Sequence, residues 1–162
     1  MRERRHGRII NISSMGGRLV FPGGGVYHAT KYAVEALSEA LRFEVRGFGV
    51  DVVVIEPGLI RTSFGDAAVG ALEQAETGGP YAEFNAAVAK TTKDAYEKKG
   101  AMSMLGGGPD SVAKAIERAL GARRPRLRYT VTPSAKLAIA NRALLPDGAW
   151  QAMMRTQFPQ PK

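Results

Sequence analysis

The sequence contains no cysteine and only two histidines, His6 and His28, in 162 residues. Without cysteine the chain can form no disulfide, no thiolate zinc site and no cysteine nucleophile, which suits a reducing cytoplasm. Two histidines are too few for a histidine-rich metal site. No apolar run approaches the ~20 residues of a membrane span, and the run behind the basic start is too short for a signal sequence. We therefore expect a cytoplasmic protein with no metal site and no membrane span.

Positive charge exceeds negative charge, giving a net charge of +8 and an isoelectric point near 10.0. This balance raises the question of an anionic partner such as nucleic acid. The arginines cluster at 2–8 and at 123–128, but no zinc-finger spacing, aromatic RNA-binding strand or basic heptad helix accompanies them. The clusters are more typical of a solvated surface, so we predict no nucleic-acid partner.

The first third of the chain has the pattern of a strand, a helix and a second strand. Residues 7–14 crowd β-branched residues together and end in small polar ones, which predicts a short buried strand. A glycine-rich stretch, 15–26, is expected to be a flexible connection. Helical spacing then runs over 27–46, and 50–55 is a nearly continuous apolar strand of the kind covered on both faces. This order predicts a right-handed βαβ unit with its ligand site at the carboxyl ends of the strands.

The remainder of the chain predicts a long insertion followed by a second set of elements. A segment over 63–108, with a helix over 81–99, follows a strand's carboxyl end, where such segments often cover a cleft. A helix over 109–121, a strand over 128–132 and a helical region over 135–154 are expected to complete the fold. Five apolar residues of the insertion are candidates to line a substrate pocket: Phe64, Tyr81, Phe84, Met102 and Met104.

The helix over 27–46 has an unusually wide apolar arc, about twice what a helix resting on one surface needs. Three sets of residues share a side of it: Ala29, Ala33, Ala36 and Ala40; Val34, Leu37, Leu41 and Val45, with Phe43; and the polar Glu35, Glu39, Arg42 and Arg46. One interpretation is that the helix packs on a sheet and on a second subunit over the alanines, which would make a homo-oligomer. Core packing alone explains the arc equally well.

Tyr27 and Lys31 begin this helix, four residues apart, and therefore share one face of it. A phenol titrates near pKa ~10, and a cation held beside it favours the phenolate. Such a pair can donate and accept a proton in carbonyl or alcohol chemistry. Tyr and Lys at this spacing are also common on helix surfaces, so the assignment depends on the neighbouring residues.

Four motifs occur in the order found in one enzyme family. A strand ends in Asn-Ile-Ser-Ser, with Ser14 thirteen residues before Tyr27; Tyr27-x-x-x-Lys31 follows; a second strand ends in Pro57-Gly58; and Thr62 completes a Pro-Gly-x-x-x-Thr pattern. The sequence thus closely resembles the short-chain dehydrogenase/reductase family. The Arg-Pro-Arg-Leu-Arg-Tyr run ending at 129 resembles, more weakly, the hydroxysteroid and retinol dehydrogenase-like branch.

The resemblance implies an oxidoreductase that transfers hydride between NAD or NADP and a carbonyl or secondary alcohol, and the apolar residues of the insertion favour an apolar substrate. Tyr27 would be the acid and base, Lys31 would support it and bind the nicotinamide ribose, and Ser14 would hold the substrate oxygen. The resemblance implies a catalytic set of Ser14, Tyr27 and Lys31. The implied cofactor-binding set is Tyr27, Lys31, Pro57, Gly58, Ile60 and Thr62.

The sequence also departs from the family. The glycine-rich turn that binds the pyrophosphate, the residue that reads the ribose and a later catalytic asparagine are absent from it, and Met1 resembles an internal methionine. We therefore expect an α/β fold, the C-terminal half of a Rossmann-like doubly wound parallel sheet with the N-terminal strands missing. We take 1–162 as one partial domain, with a catalytic unit (7–62), a substrate loop (63–108) and a C-terminal part (109–158). Two hypotheses remain: a catalytic half that is inactive alone, or a non-catalytic remnant or interaction partner.

Overall fold

The computed structural model describes residues 1–64, 67, 70, 79–97 and 104–161. A 3-10 turn, Met15–Gly17, lies between the first strand and the first helix. The strands and helices are β1 (Gly7–Ile12), α1 (Gly25–Arg46), β2 (Val50–Glu56), α2 (Ala82–Tyr96), α3 (Pro109–Gly121), β3 (Arg128–Thr130), α4 (Pro133–Leu144) and α5 (Asp147–Arg155). Each predicted element is present, with most ends within two residues of the prediction. The last two positions of the predicted helix over 81–99 lie outside the described residues.

The three described strands form one parallel sheet in the order β1-β2-β3. Strand β1 pairs with β2 from Gly7 opposite Val50 to Ile12 opposite Ile55. Strand β3 pairs only with the second half of β2, beginning with Arg128 opposite Val54. The carboxyl ends of β1 and β2 therefore meet at one edge of the sheet, as the predicted βαβ unit requires.

Helices cover both faces of the sheet, so the expected three-layer α/β/α arrangement is confirmed. Val53 and Ile55 of β2 pack against Ala115 and Ala119 of α3. Because side chains alternate along a strand, the neighbouring residues of β2 face the other layer, where α1 lies. Every residue of β2 except Asp51 is buried, which explains its nearly continuous apolar sequence.

A second core cluster forms around the connection before α1. Leu19 is fully buried and packs with Val88 of α2, Ala138 of α4 and Trp150 of α5. The prediction that 15–26 is a flexible connection was therefore wrong, because Leu19 of this segment lies at the centre of a core cluster. Its glycines permit close packing: a Cβ at Gly23 would lie 2.5 Å from the Val88 side chain.

Helix α1 turns a different side to the sheet from the one predicted. Glu35, which lies on the polar side of the helix and outside the predicted apolar arc, is 6% exposed, whereas Leu37 and Phe43 of that arc are 69% and 88% exposed. The four alanines of the predicted stripe are also exposed. The reason is the sheet surface below the helix, where Arg128 Nε donates to Glu35 Oε2 at 3.0 Å. A buried carboxylate is acceptable where a guanidinium pairs with it.

No helix in the described ranges is both long enough and apolar enough to cross a membrane. The same part of the chain holds no group of three or more histidine and acidic side chains arranged to bind a metal ion.

Candidate active site

Ser14 lies where β1 ends, beside the turn that follows β2. The two strand ends are joined by hydrogen bonds from Ser13 N to Ile55 O at 2.9 Å and from Met15 N to Pro57 O at 2.8 Å. The Ser14 side chain caps the 3-10 turn, its Oγ accepting from Gly16 N at 3.1 Å. That hydroxyl is also 3.5 Å from Pro57 O. Two predicted site residues, Ser14 and Pro57, are therefore neighbours at the carboxyl edge of the sheet.

Tyr27 and Lys31 lie on the first turns of α1 and face each other as their spacing predicts. Lys31 Nζ is 5.8 Å from the centre of the Tyr27 ring, within cation–π range. The same ammonium donates to Ile12 O at 3.3 Å. Lys31 therefore connects the helix that carries Tyr27 to the end of the strand that leads to Ser14.

Two further aromatic side chains surround Tyr27. Its ring lies 5.6 Å from the ring of Phe64 and 5.6 Å from that of His28. Burial, and to a smaller extent the electrostatic influence of Tyr27, raises the pKa of Tyr96 at the end of α2. Sequence reasoning missed Tyr96, which carries no motif and lies 69 positions after Tyr27 in the chain.

Of the predicted pocket residues that the structure describes, Phe64 alone has its ring beside that of Tyr27. Tyr81 packs edge-to-face on Phe84 with ring centres 6.4 Å apart, and Phe84 joins the core around Leu19. Met104 is exposed. Met102 lies outside the described residues. The insertion is thus partly a core element.

The chain after Pro57 is fixed at three points. Gly58 lies against the start of α4, where a Cβ would meet the Thr132 hydroxyl and, at 2.8 Å, the Ala135 Cβ. Ile60 forms a parallel bridge with Gly107. Further along, the Thr62 hydroxyl accepts from Phe64 N at 3.3 Å, and Phe64 in turn contacts Tyr27. These contacts connect the Pro57–Thr62 segment to the helix that carries Tyr27.

A buried ionic network supports this edge of the sheet. Glu56, 1% exposed, closes β2 and accepts from Thr130 Oγ1 at 2.7 Å and from Arg18 Nη1 at 3.2 Å. Arg128 Nε lies 3.5 Å from the same carboxylate and 3.0 Å from that of Glu35. The sequence signal was a charged residue that ends an otherwise apolar strand, but its partners lie on two other segments, the connection before α1 and β3.

Arg128 also reaches Glu39, one turn further along α1. Its Nη2 donates to Glu39 Oε2 at 2.7 Å. This hydrogen bond, followed by the guanidinium charge, lowers the pKa of Glu39 below its ordinary value. The side chain of Glu39 is two-thirds exposed, so the pair contributes less to stability than the buried one with Glu35.

Sequence comparison agrees with the geometry. A family model described as short chain dehydrogenase matches residues 1–71, which include Ser14, Tyr27 and Lys31. An uncharacterised oxidoreductase of Schizosaccharomyces pombe is 34% identical over 157 residues, covering 97% of this chain and 62% of the relative. Human retinol dehydrogenase 5 is 32% identical over 173 residues, covering 98% and 51%. The chain belongs to the short-chain dehydrogenase/reductase family.

Solved structures of short-chain dehydrogenases share the fold. One from Streptomyces avermitilis has a TM-score of 0.67 at 30% identity and covers 96% of this chain and 52% of that one. A serine dehydrogenase complexed with NADP+ in its closed form has a TM-score of 0.61 at 26% identity, covering 82% and 46%. This chain therefore spans about half the length of these two structures.

The family's nicotinamide cofactor can be compared with the residues present. An ammonium offers three donors, and Lys31 directs one of them to Ile12 O. The Ser14 oxygen accepts from Gly16, so its O–H remains as a further donor. This donor set suits ribose hydroxyls and a carbonyl oxygen. The glycines at 23 and 24 offer no comparable phosphate cradle, because a Cβ there would meet Val88 and His28 rather than open space. The residues fit the nicotinamide end of the cofactor.

Proposed function

We propose that this chain is the catalytic half of an NAD(P)-dependent oxidoreductase that interconverts a carbonyl and a secondary alcohol. The observation that carries the proposal is the meeting of Tyr27, Lys31 and the Ser14 segment at the carboxyl edge of the sheet, with Lys31 joining the helix to β1. Ligands of open parallel sheets bind at this edge. The family membership of the chain supports the same reaction class.

Tyr27 gives its hydroxyl proton to the carbonyl oxygen during reduction and takes it back during alcohol oxidation. The Lys31 ammonium, near the ring, stabilises the phenolate that remains. The Ser14 hydroxyl donates a hydrogen bond to the same substrate oxygen as negative charge develops there. The exposed rim of Phe64 favours an apolar substituent on the substrate.

The nicotinamide would be held by Lys31 and by the segment of Pro57, Gly58, Ile60 and Thr62. When bound, it supplies or accepts the hydride. The chain contains no glycine-rich strand-to-helix turn for the pyrophosphate, so we infer that the 162-residue chain alone is inactive. The relative complexed with NADP+ supports a nicotinamide cofactor.

Isothermal calorimetry on the 162-residue chain tests the division into halves. We expect no saturable binding of NAD(H) or NADP(H) at micromolar concentration. The same chain joined behind the N-terminal half of a family relative should bind one of them and reduce carbonyl compounds. Micromolar binding by the 162-residue chain would contradict the proposed division.

A role as an interaction partner remains the alternative, and the exposed face of α1 favours it. Leu37 and Phe43 are largely exposed beside the exposed alanine stripe, a combination that suits close approach of a second helix. We propose that two copies of the chain associate through this face to form a homo-oligomer. We also propose that the protein is cytoplasmic. Sedimentation equilibrium of the chain and of Leu37→Glu tests it: a dimer that the substitution dissociates supports the face, and a monomer at high micromolar concentration contradicts it.

A further inference from the structure

His28 follows Tyr27 on α1 and is buried, with 6% of its surface exposed. Both ring nitrogens have a backbone partner on the connection before the helix. Nδ1 lies 2.9 Å from Gly16 O, and Phe21 N donates to Nε2 at 3.1 Å. The imidazole therefore bridges two points of the chain that are five residues apart.

These two partners define which ring nitrogen carries the hydrogen. An amide N–H can only donate, so Nε2 must accept from Phe21 and carries no hydrogen. A carbonyl oxygen can only accept, so Nδ1 must donate to Gly16. The geometry is satisfied by the neutral Nδ1–H tautomer alone, because a doubly protonated ring would set two donors against each other at Nε2.

Glycine on either side of the ring makes room for this arrangement. A Cβ at Gly16 would lie 2.7 Å from Nδ1, and one at Gly24 would lie 3.0 Å from Nε2. Two aromatic rings lie beside the imidazole, with centres 6.2 Å away at Phe21 and 5.6 Å away at Tyr27. Close packing and two directed hydrogen bonds together hold the ring in one orientation.

Gly16 connects His28 to Ser14. The carbonyl of Gly16 receives the His28 hydrogen, and its N–H donates to Ser14 Oγ at 3.1 Å. Because this bond occupies an acceptor site on the Ser14 oxygen, the hydroxyl hydrogen is directed elsewhere, toward Pro57 O or a ligand oxygen. The orientation of the Ser14 hydroxyl thus depends on where Gly16 is held.

We infer that His28 is a positioning residue for the reaction: as the Nδ1–H tautomer it holds Gly16, and through Gly16 it fixes the Ser14 hydroxyl relative to Tyr27. The inference rests on the proposed function for its catalytic meaning. Its structural content, the tautomer and the two bonds, can be tested on the 162-residue chain without turnover.

Proton–nitrogen correlation spectra of the imidazoles test the tautomer directly. The exposed His6 is the other histidine of the chain and provides an internal reference. We expect the His28 signals of the Nδ1–H form at neutral pH, with the Nδ1 hydrogen exchanging slowly. An Nε2–H form for His28, or signals averaged like those of His6, would overturn the inference.

Two substitutions at His28 each remove one of its two hydrogen bonds and keep the other. The amide nitrogen of Asn overlaps the Nδ1 position and the amide oxygen of Gln overlaps the Nε2 position, so His28→Asn keeps the donor to Gly16 and His28→Gln keeps the acceptor for Phe21. In His28→Gln we expect exchange of the Gly16 amide hydrogen, which reports on its bond to Ser14, to rise about tenfold while that of Phe21 is retained. His28→Asn should give the reverse.

The amides of β2 serve as a control for global stability in both variants. Equal acceleration at Gly16 and Phe21 in both variants, with the β2 amides unchanged, would make His28 a packing residue and contradict the positioning role. If a variant does not fold, the tautomer measurement on the unsubstituted chain still decides the inference. Absence of turnover in any longer chain would refute the proposed function while leaving these spectra unaffected.

Discussion

Replacing Arg128 by methionine removes the cation that pairs with two buried carboxylates. Glu35 loses its one ion pair closer than 4 Å among the described residues, and its other oxygen, Oε1, is already buried with no hydrogen-bond partner there. Glu56 is better protected, because Arg18 at 3.2 Å and Thr130 at 2.7 Å remain. The loss therefore falls mainly on Glu35.

The expected loss of stability follows from the different surroundings of Glu35 and Glu56. Breaking a buried ion pair by removing one partner costs about 3–5 kcal/mol, since a charge stays buried without compensation. With Glu56 still paired, we expect the free energy of unfolding of Arg128→Met to fall by about 3 kcal/mol. The exposed partner Glu39 provides a matched control, and Glu39→Gln should cost much less, because solvent screens that pair.

Urea unfolding of the purified chain, followed by circular dichroism, measures these differences. The double variant Arg128→Met/Glu35→Met should regain at least about half of the loss, because replacing both partners with apolar side chains is nearly neutral in buried pairs. A loss for Arg128→Met no larger than that for Glu39→Gln would refute the buried network.

Two further predictions concern titration and backbone packing. In Arg128→Met, the pKa of Glu39, measured by carboxyl NMR, should rise back toward its ordinary value. Because the ion pair lowers this pKa in the folded state, the stability that it contributes is present above the pKa of Glu39 in the unfolded chain and is lost as the pH falls through the pKa in the folded chain. The variant should lack this pH dependence of stability. Gly58→Ala should lower the free energy of unfolding, measured with urea, by about 1–3 kcal/mol, because the added Cβ would overlap the Thr132 hydroxyl. Gly148 lies in α5, and a Cβ added there would meet nothing within 4 Å, so Gly148→Ala should instead stabilise the chain by about 0.5–1 kcal/mol. A similar loss of stability in both variants would contradict the Gly58 contact.

Local motifs in the sequence were enough to predict the elements and which strand ends meet. Ser14 ends one strand and Pro57 follows the next, and the parallel pairing of β1 with β2 then requires them to be neighbours. Tyr27 and Lys31 share a face because helical geometry alone sets their relation. Such features depend on periodicity over short stretches, which sequence reasoning handles well.

Contacts between distant segments could not be predicted in the same way. Glu35 falls outside the predicted apolar arc of α1, and its partner Arg128, 93 residues away, makes its burial acceptable. The role of Leu19 as a core residue required knowledge that α4 and α5 pack over the connection before α1. A side chain whose environment is supplied by remote elements carries no local signal of it.

Turnover of a longer chain, this sequence joined behind the N-terminal half of a family relative, tests the central claim most directly. Carbonyl reduction is followed by loss of nicotinamide absorbance for the parent, for Tyr27→Phe and for the control Tyr32→Phe on the same helix. Removing the general acid should lower kcat by about 10²–10⁴-fold, whereas Tyr32→Phe should stay within about twofold of the parent. Turnover retained in Tyr27→Phe would contradict the assignment of Tyr27 as the proton donor.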